Sequence, residues 1–164
     1  MRSLGFRTRE FGQRRPINEE TEMAMKYDDA SWHYGGEFPK DLPHEAGATH
    51  IGMFVAWSLL SGLAGELIVV EFPEFISKLE SRTLTPGKLF FDLCDGKFID
   101  EDLNDEGNAF GLAYFHSESG KYLSDYEATL ADDAPTLYHV KDSWENFDRL
   151  KPVIDRRFSE WRRH

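Results

Sequence analysis

An uncharged stretch runs from Ile51 to Gly65, and it limits the folds open to this chain more than any other segment. A helix that is apolar all round is normally buried. Because 15 residues fall short of the ~20 that span a bilayer, we expect a buried core helix here, over about 45–63. Its large apolar side chains surround the axis and do not line one face: Ile51, Met53, Phe54, Val55, Trp57, Leu59, Leu60 and Leu63.

Shorter helices are predicted after the central one. Pro73 and Pro86 each suit the first turn of a helix, where a missing N–H costs no hydrogen bond, and Thr85 offers a capping hydroxyl to the second. A third helix is expected to start at Asn104 or Asp105. The three helices are predicted to end near Leu79 or Ser81, at the Asp95-Gly96 turn, and near Phe115. The third is expected to bury Phe110, Leu112 and Phe115. The segment 120–130 is ambiguous.

The last helix has the clearest pattern. Asp142 or Ser143 is expected to cap it, and its apolar residues recur at steps of three and four, which place them on one helical face. Arginines lie near its C-terminal end, where the negative pole of the helix dipole stabilises positive charge. The apolar stripe consists of Trp144, Phe147, Leu150, Ile154, Phe158 and Trp161.

Two segments read as short strands, Leu67–Phe72 for its β-branched residues and Thr136–Val140. Together these patterns predict an α+β fold: a predominantly α-helical single domain with one or two short strands. Residues 1–24 read as a disordered basic leader or the product of a start codon placed too early. The globular domain is then expected over 25–164.

Charge divides the chain into three parts. Residues 1–15 and 149–164 each carry a net charge of +4, whereas residues 16–148 carry −19, for a total of −11. Such a field repels nucleic acids and membrane surfaces and attracts basic proteins. This favours a non-enzymatic acidic binding protein, such as an immunity or antitoxin-type inhibitor of a basic toxin, with no nucleic-acid or membrane partner.

An acidic run is the expected surface for that basic partner: Asp100, Glu101, Asp102, Asp105 and Glu106. Its start resembles an EF-hand calcium loop, but the sixth position is Asp105 where glycine is needed. The twelfth is Gly111 where a bidentate glutamate is needed. We therefore expect no cofactor, with a divalent cation as the alternative.

The rival function is a metal-dependent enzyme or small-ligand-binding module that uses the loop Tyr27–Pro39. Carboxylates and imidazole can bind metal or transfer protons, aromatic rings can stack on a ligand, and glycines allow close approach. Alternatively, the aromatic residues and aspartates only fix the loop. The candidate ligand-binding residues are Asp28, Asp29, Trp32, His33 and Tyr34.

Established catalytic and metal motifs are missing from the sequence. It contains no Gly-x-Ser-x-Gly elbow, no phosphate-binding glycine loop, no His-Glu-x-x-His and no Cys-x-x-Cys. We assign no catalytic residue and no metal ligands, and His50 is expected to be a core or capping residue. This favours a protein without catalytic activity but leaves an enzyme open. The single cysteine, Cys94, and the lack of an apolar signal region fit the cytoplasm.

Several segments are similar to a bacterial family of small, uncharacterised proteins. They are YDDASWHYGGEFP (27–39), HIGMF (50–54), CDGKF (94–98) and YHVKDSW (138–144). The likeness spans roughly Met25 to Arg162. It implies a bacterial origin and a cytosolic setting, and it supplies no residue roles.

Overall fold

The computed structural model describes residues 25–116 and 120–164, so the predicted leader lies outside the described residues. Helices dominate, and two short strands pair, which confirms the predicted α+β, predominantly helical domain. Single 3-10 turns cover Ala30–His33, His44–Ala48, Asp100–Asp102 and Leu137–His139. The regular elements are β1 (Lys26–Asp29), α1 (Thr49–Leu60), α2 (Glu66–Glu71), α3 (Pro73–Glu80), α4 (Pro86–Cys94), β2 (Lys97–Ile99), α5 (Asp105–Tyr114), α6 (Tyr122–Leu130) and α7 (Trp144–Arg162).

Helix α1 is the core of the molecule, as the uncharged stretch predicts. Every residue from Thr49 to Leu59 is buried. Its closest neighbour is α4, and Gly52 makes that approach possible: a Cβ there would lie 2.6 Å from the backbone oxygen of Pro86. None of the helices in the described residues is long and apolar enough to cross a membrane.

The strand predicted at Leu67–Phe72 is wrong, because this segment forms α2. Ile68 and Phe72, four residues apart, are buried, while Val69 and Val70 between them are 50% and 62% exposed. Burial spaced by four is the period of a helix, and it overrides the strand preference of β-branched residues.

The strand predicted at Thr136–Val140 is also wrong. The Thr136 hydroxyl accepts the N–H of Tyr138 at 3.1 Å, and the chain closes into a 3-10 turn. A side chain that satisfies its own backbone in this way competes with strand pairing.

The strands that do form, β1 and β2, were not predicted. They are antiparallel, with Lys26 opposite Ile99 and Asp29 opposite Lys97, and the register shifts between Lys26 and Asp28. Strands of three and four residues carry too little pattern to recognise before their partner is known.

Helix α1 is shorter than the predicted 45–63, because His44–Ala48 forms a 3-10 turn and the helix ends at Leu60; of the predicted caps, two form and one does not. Ser143 caps α7 and Asn104 caps α5, each by accepting a backbone N–H. Thr85 does not cap α4 with its side chain: its hydroxyl donates to Asp142 Oδ2 at 2.6 Å, and Asp142 Oδ1 accepts the N–H of Gly87 at 2.8 Å. The carboxylate of a distant residue therefore completes the first turn of α4.

Two predicted apolar faces have different outcomes. Phe147, Leu150 and Ile154 of α7 are buried, and the other three residues of the predicted stripe pack against the core while remaining partly exposed. In α5, by contrast, Leu112 is 46% exposed, so its predicted burial is wrong. Phe110 and Tyr114, four residues apart, set the inward face of α5, and Leu112 lies off that face.

Candidate metal centre

Strand β1 and the turn that follows it bring Asp28 and His33 together. His33 Nε2 lies 2.9 Å from Asp28 Oδ1. The turn is closed by Asp29, whose Oδ1 accepts the Ser31 N–H at 2.9 Å and hydroxyl at 2.8 Å. Asp29 is thus a capping residue that holds its neighbour, Asp28, in place.

Tyr138, from the turn Leu137–His139, extends this pair. Its hydroxyl lies 2.7 Å from His33 Nδ1. Burial, followed by the nearby carboxylate of Asp28, raises the pKa of Tyr138, so its hydroxyl keeps its proton. Since a carboxylate only accepts, His33 Nε2 donates to Asp28, and in the neutral ring Nδ1 is then the nitrogen that accepts from Tyr138.

Asp28 is ionised despite its position. Burial alone would raise the pKa of Asp28, but the hydrogen bond from His33 and the electrostatic effect of the two nearby imidazoles outweigh it and lower the pKa to about 2. The cluster therefore holds a fixed negative charge beside two imidazoles.

His50, in the first turn of α1, is the third member of the cluster. Its side chain is 1% exposed, and neither ring nitrogen has a hydrogen-bond partner among the described residues. Nε2 lies 3.7 Å from Asp28 Oδ2, too far for a hydrogen bond, and the ring packs edge-on to His33 with centroids 4.7 Å apart. His50 is therefore a core residue, as expected, but its ring nitrogens are not satisfied by hydrogen bonds among the described residues.

Burial lowers the pKa of His50, which keeps the ring neutral. A neutral imidazole with a free nitrogen is the form that binds metal ions. Leaving such a polar group buried and unpaired costs about 1–3 kcal/mol. His50 is thus a suitable metal ligand whose ring nitrogens make no hydrogen bond among the described residues.

The three side chains have the spacing of a metal site. One ligand atom each from Asp28, His33 and His50 lies within 4.8 Å of the other two. Ligand atoms on a tetrahedral ion at about 2.0–2.1 Å lie roughly 3.3 Å from one another. Two distances lie near that value: His33 Nε2 is 2.9 Å from Asp28 Oδ1, and His50 Nε2 is 3.7 Å from the other oxygen, Asp28 Oδ2.

The other predicted loop residues lie outside the cluster. Trp32 is 59% exposed, with the ammonium of Lys26 5.5 Å above its ring. Tyr34 stacks on His44 with centroids 4.2 Å apart. Of the loop candidates, the structure therefore brings together Asp28 and His33.

Sequence reasoning placed His50 in the core or at a cap without assigning it as a ligand, and it missed Tyr138. One signal for His50 was available: a histidine at the start of a helix that is otherwise apolar all round must be buried. Nothing local marks Tyr138, because it lies 105 positions beyond His33 and meets it only in the fold.

The predicted partner-binding acids do not form one exposed strip. Asp102 is buried, and its carboxylate accepts the Ile99 N–H at 2.9 Å. Glu106 accepts from Arg162 at 2.8 Å. Asp100 and Glu101 are half-buried, and Asp105 is exposed.

The model of a domain of unknown function, DUF7832, matches residues 26–140. The chain belongs to this family. The matched DUF7832 region includes Asp28, His33, His50 and Tyr138, so the whole cluster falls inside the family domain. No curated protein and no solved structure matches the chain.

Proposed function

We propose that this protein is a metal-binding domain that holds one divalent transition-metal ion of the zinc class on Asp28, His33 and His50. The observation that carries the proposal is the buried imidazole of His50, which has no hydrogen-bond partner among the described residues and faces an ionised carboxylate. Two imidazoles and one carboxylate are a ligand set that suits zinc and its neighbours, whereas calcium and magnesium prefer oxygen ligands alone.

Tyr138 is not a ligand in the proposed site but a hydrogen-bond partner of the ligand His33. With the ion on Nε2, the other nitrogen of His33 carries the proton and donates to the Tyr138 oxygen 2.7 Å away. Metal-bound histidines almost always have such a partner, which fixes the ring and its tautomer. Three protein ligands leave a fourth position for water, as in zinc sites that act on substrates.

The test is metal binding by purified protein freed of metal with a chelator. We expect one zinc ion per chain, with a dissociation constant of about 1 μM or below by calorimetry. Cobalt is expected to give the visible absorption of a tetrahedral ion. Zinc at 100 times its dissociation constant should raise the free energy of unfolding by about 2.7 kcal/mol.

Three variants separate this site from surface binding. His50→Leu and Asp28→Asn are expected to weaken zinc binding at least tenfold, and His164→Ala, which removes an exposed histidine, should leave it unchanged. Equal zinc affinity in wild type and His50→Leu would falsify the proposal.

The acidic binding protein, including an immunity or antitoxin-type inhibitor in the cytoplasm, stays a second proposal. Its support is the net charge of −19 over residues 16–148, with Asp105 as the exposed member of the acidic run. A basic protein captured at low salt, released at high salt and lost with Asp105→Lys would support it. Capture of a protein that depends neither on the salt concentration nor on Asp105→Lys would count against it.

A further inference from the structure

A cleft of about 370 Å³ lies beside the candidate metal centre, and Tyr138 lines it. Its walls are mostly apolar, and its volume falls in the range of about 300–1,000 Å³ that small-molecule sites occupy. It opens between the turn His44–Ala48, the first turn of α4 and the segment that leads into α7. The apolar lining residues are Leu42, Pro43, Ala46, Phe91 and Val140.

Thr49 brings one neutral hydroxyl into this lining. Thr49 is 4% exposed, and its hydroxyl makes no hydrogen bond within residues 25–116 and 120–164. A hydroxyl in the wall of an apolar cleft can pair with a ligand oxygen or N–H. An apolar pocket with a few placed polar groups is the usual form of a small-molecule site.

The charges at the rim indicate an uncharged ligand. Lys88 pairs with Asp92 at 3.0 Å, and both oxygens of Asp142 accept hydrogen bonds from the start of α4. The lining as a whole carries two carboxylates, Glu45 and Asp142, and two ammonium groups, Lys88 and Lys141, so its formal charges sum to zero. The field of the acidic molecule also disfavours an anion.

We propose that this cleft binds a small, uncharged and largely apolar molecule, about as large as two fused aromatic rings, through one hydroxyl or carbonyl that pairs with Thr49. The proposal goes beyond metal binding and does not depend on it, because Thr49 and the apolar walls are not metal ligands. Tyr138 is the residue that the two sites share.

The experiment titrates 1-naphthol into the full chain, followed by backbone amide shifts in NMR and by calorimetry. We expect saturable binding, with the largest shifts at Ala46, Thr49 and Val140. Thr49→Val removes the hydroxyl and keeps the shape, and it should weaken binding about threefold to tenfold, the worth of one neutral hydrogen bond. The anion 1-naphthoate should bind more weakly than 1-naphthol.

A second variant and a metal comparison complete the test. Ala46→Phe fills the cleft and should abolish binding, with folding checked by circular dichroism. Titrations of zinc-loaded protein, chelator-treated protein and His50→Leu should all show naphthol binding, so a failed metal site does not hide a working cleft. The proposal is overturned if wild-type shifts do not saturate, if they map elsewhere, or if Thr49→Val binds as tightly as wild type.

Discussion

The imidazole of His50 imposes a cost on the metal-free protein that its apolar neighbours on α1 do not. Both nitrogens have lost water, and among the described residues neither has gained a hydrogen bond. Proteins retain such groups where binding needs them, at some expense in stability. At this scale, function and stability make opposite demands on one side chain.

We expect His50→Leu to stabilise the metal-free protein. Leucine fits a buried helical position and removes the unpaired polar atoms, so the free energy of unfolding in chelator should rise by about 1–3 kcal/mol. The same variant should lose the stabilisation by zinc. Urea unfolding with chelator and with zinc measures both effects. A less stable variant in chelator would show that the imidazole contributes to packing beyond its ligand role.

Gly52 gives a second prediction for a single residue. Alanine is normally better than glycine in a helix by about 1 kcal/mol, but here its Cβ would meet the Pro86 oxygen at 2.6 Å and the Gly87 Cα at 2.9 Å. Overpacking of this kind costs about 1–3 kcal/mol, so we expect Gly52→Ala to destabilise the protein in thermal or urea unfolding.

Gly35 is the matched control for that substitution. An added Cβ at Gly35 meets no atom within 4 Å, and its backbone does not need a positive φ. Gly35→Ala should therefore be neutral or stabilising by up to about 1 kcal/mol. If both alanine variants behave alike, the close approach of α1 and α4 does not depend on the missing side chain.

At the scale of elements, sequence patterns predicted the helices that have long faces or clear ends. The stripe of α7, the apolar circumference of α1 and the proline starts of α3 and α4 were all sufficient. The six-residue α2 and the pair β1 and β2 were not predictable in the same way. Their conformation depends on which neighbours cover them, and that information is spread along the chain.

Helices α6 and α7 are joined by an ion pair with a definite pH dependence. Arg157 binds both oxygens of Asp125 at 2.8 and 3.0 Å, and the Tyr114 hydroxyl donates to the same carboxylate at 2.7 Å. Burial alone would raise the pKa of Asp125, but these hydrogen bonds lower it below the ordinary 3.8. The stability it contributes is complete above pH 3.8 and is lost as the pH falls below that value.

We expect Asp125→Asn to lower the free energy of unfolding by about 1.5–3 kcal/mol at pH 7, because the hydrogen bonds it loses involve charged groups. The difference from wild type should shrink as the pH falls below 3.8. Urea unfolding across pH 2–7 measures it. The control is Asp148→Asn, whose ion pair with Arg82 is about half exposed and should change stability by less than about 1 kcal/mol. A pH-independent loss for Asp125→Asn would contradict the assignment.

For the whole molecule, the family match and the folding unit have different ends. The match to DUF7832 ends at residue 140, yet α7 follows it and contributes three fully buried side chains. Their burial is worth about 1.5–3 kcal/mol each, and a domain is stable by only about 5–15 kcal/mol in total. The N–H of Trp57, on the central helix, also donates to Asp155 of α7 at 2.8 Å.

We therefore expect residues 1–140 to lack a cooperative unfolding transition in circular dichroism. A chain of residues 1–162 retains α7 and lacks only residues 163 and 164, so it should melt within a few degrees of the full chain. Cooperative melting of residues 1–140 would show that α7 is an addition to a domain that is complete without it.

The hydrogen bonds of Asp142 set an order of events during synthesis. The first turn of α4 is completed by a carboxylate that lies 55 positions after Gly87. At about 5–20 residues per second, a ribosome adds that carboxylate roughly 3–11 seconds after it adds Gly87. Until then α4 lacks a cap, and the surface that α7 covers is open to water. During this interval the nascent chain exposes the apolar surface that α7 later covers, and chaperones have time to bind it before α7 packs.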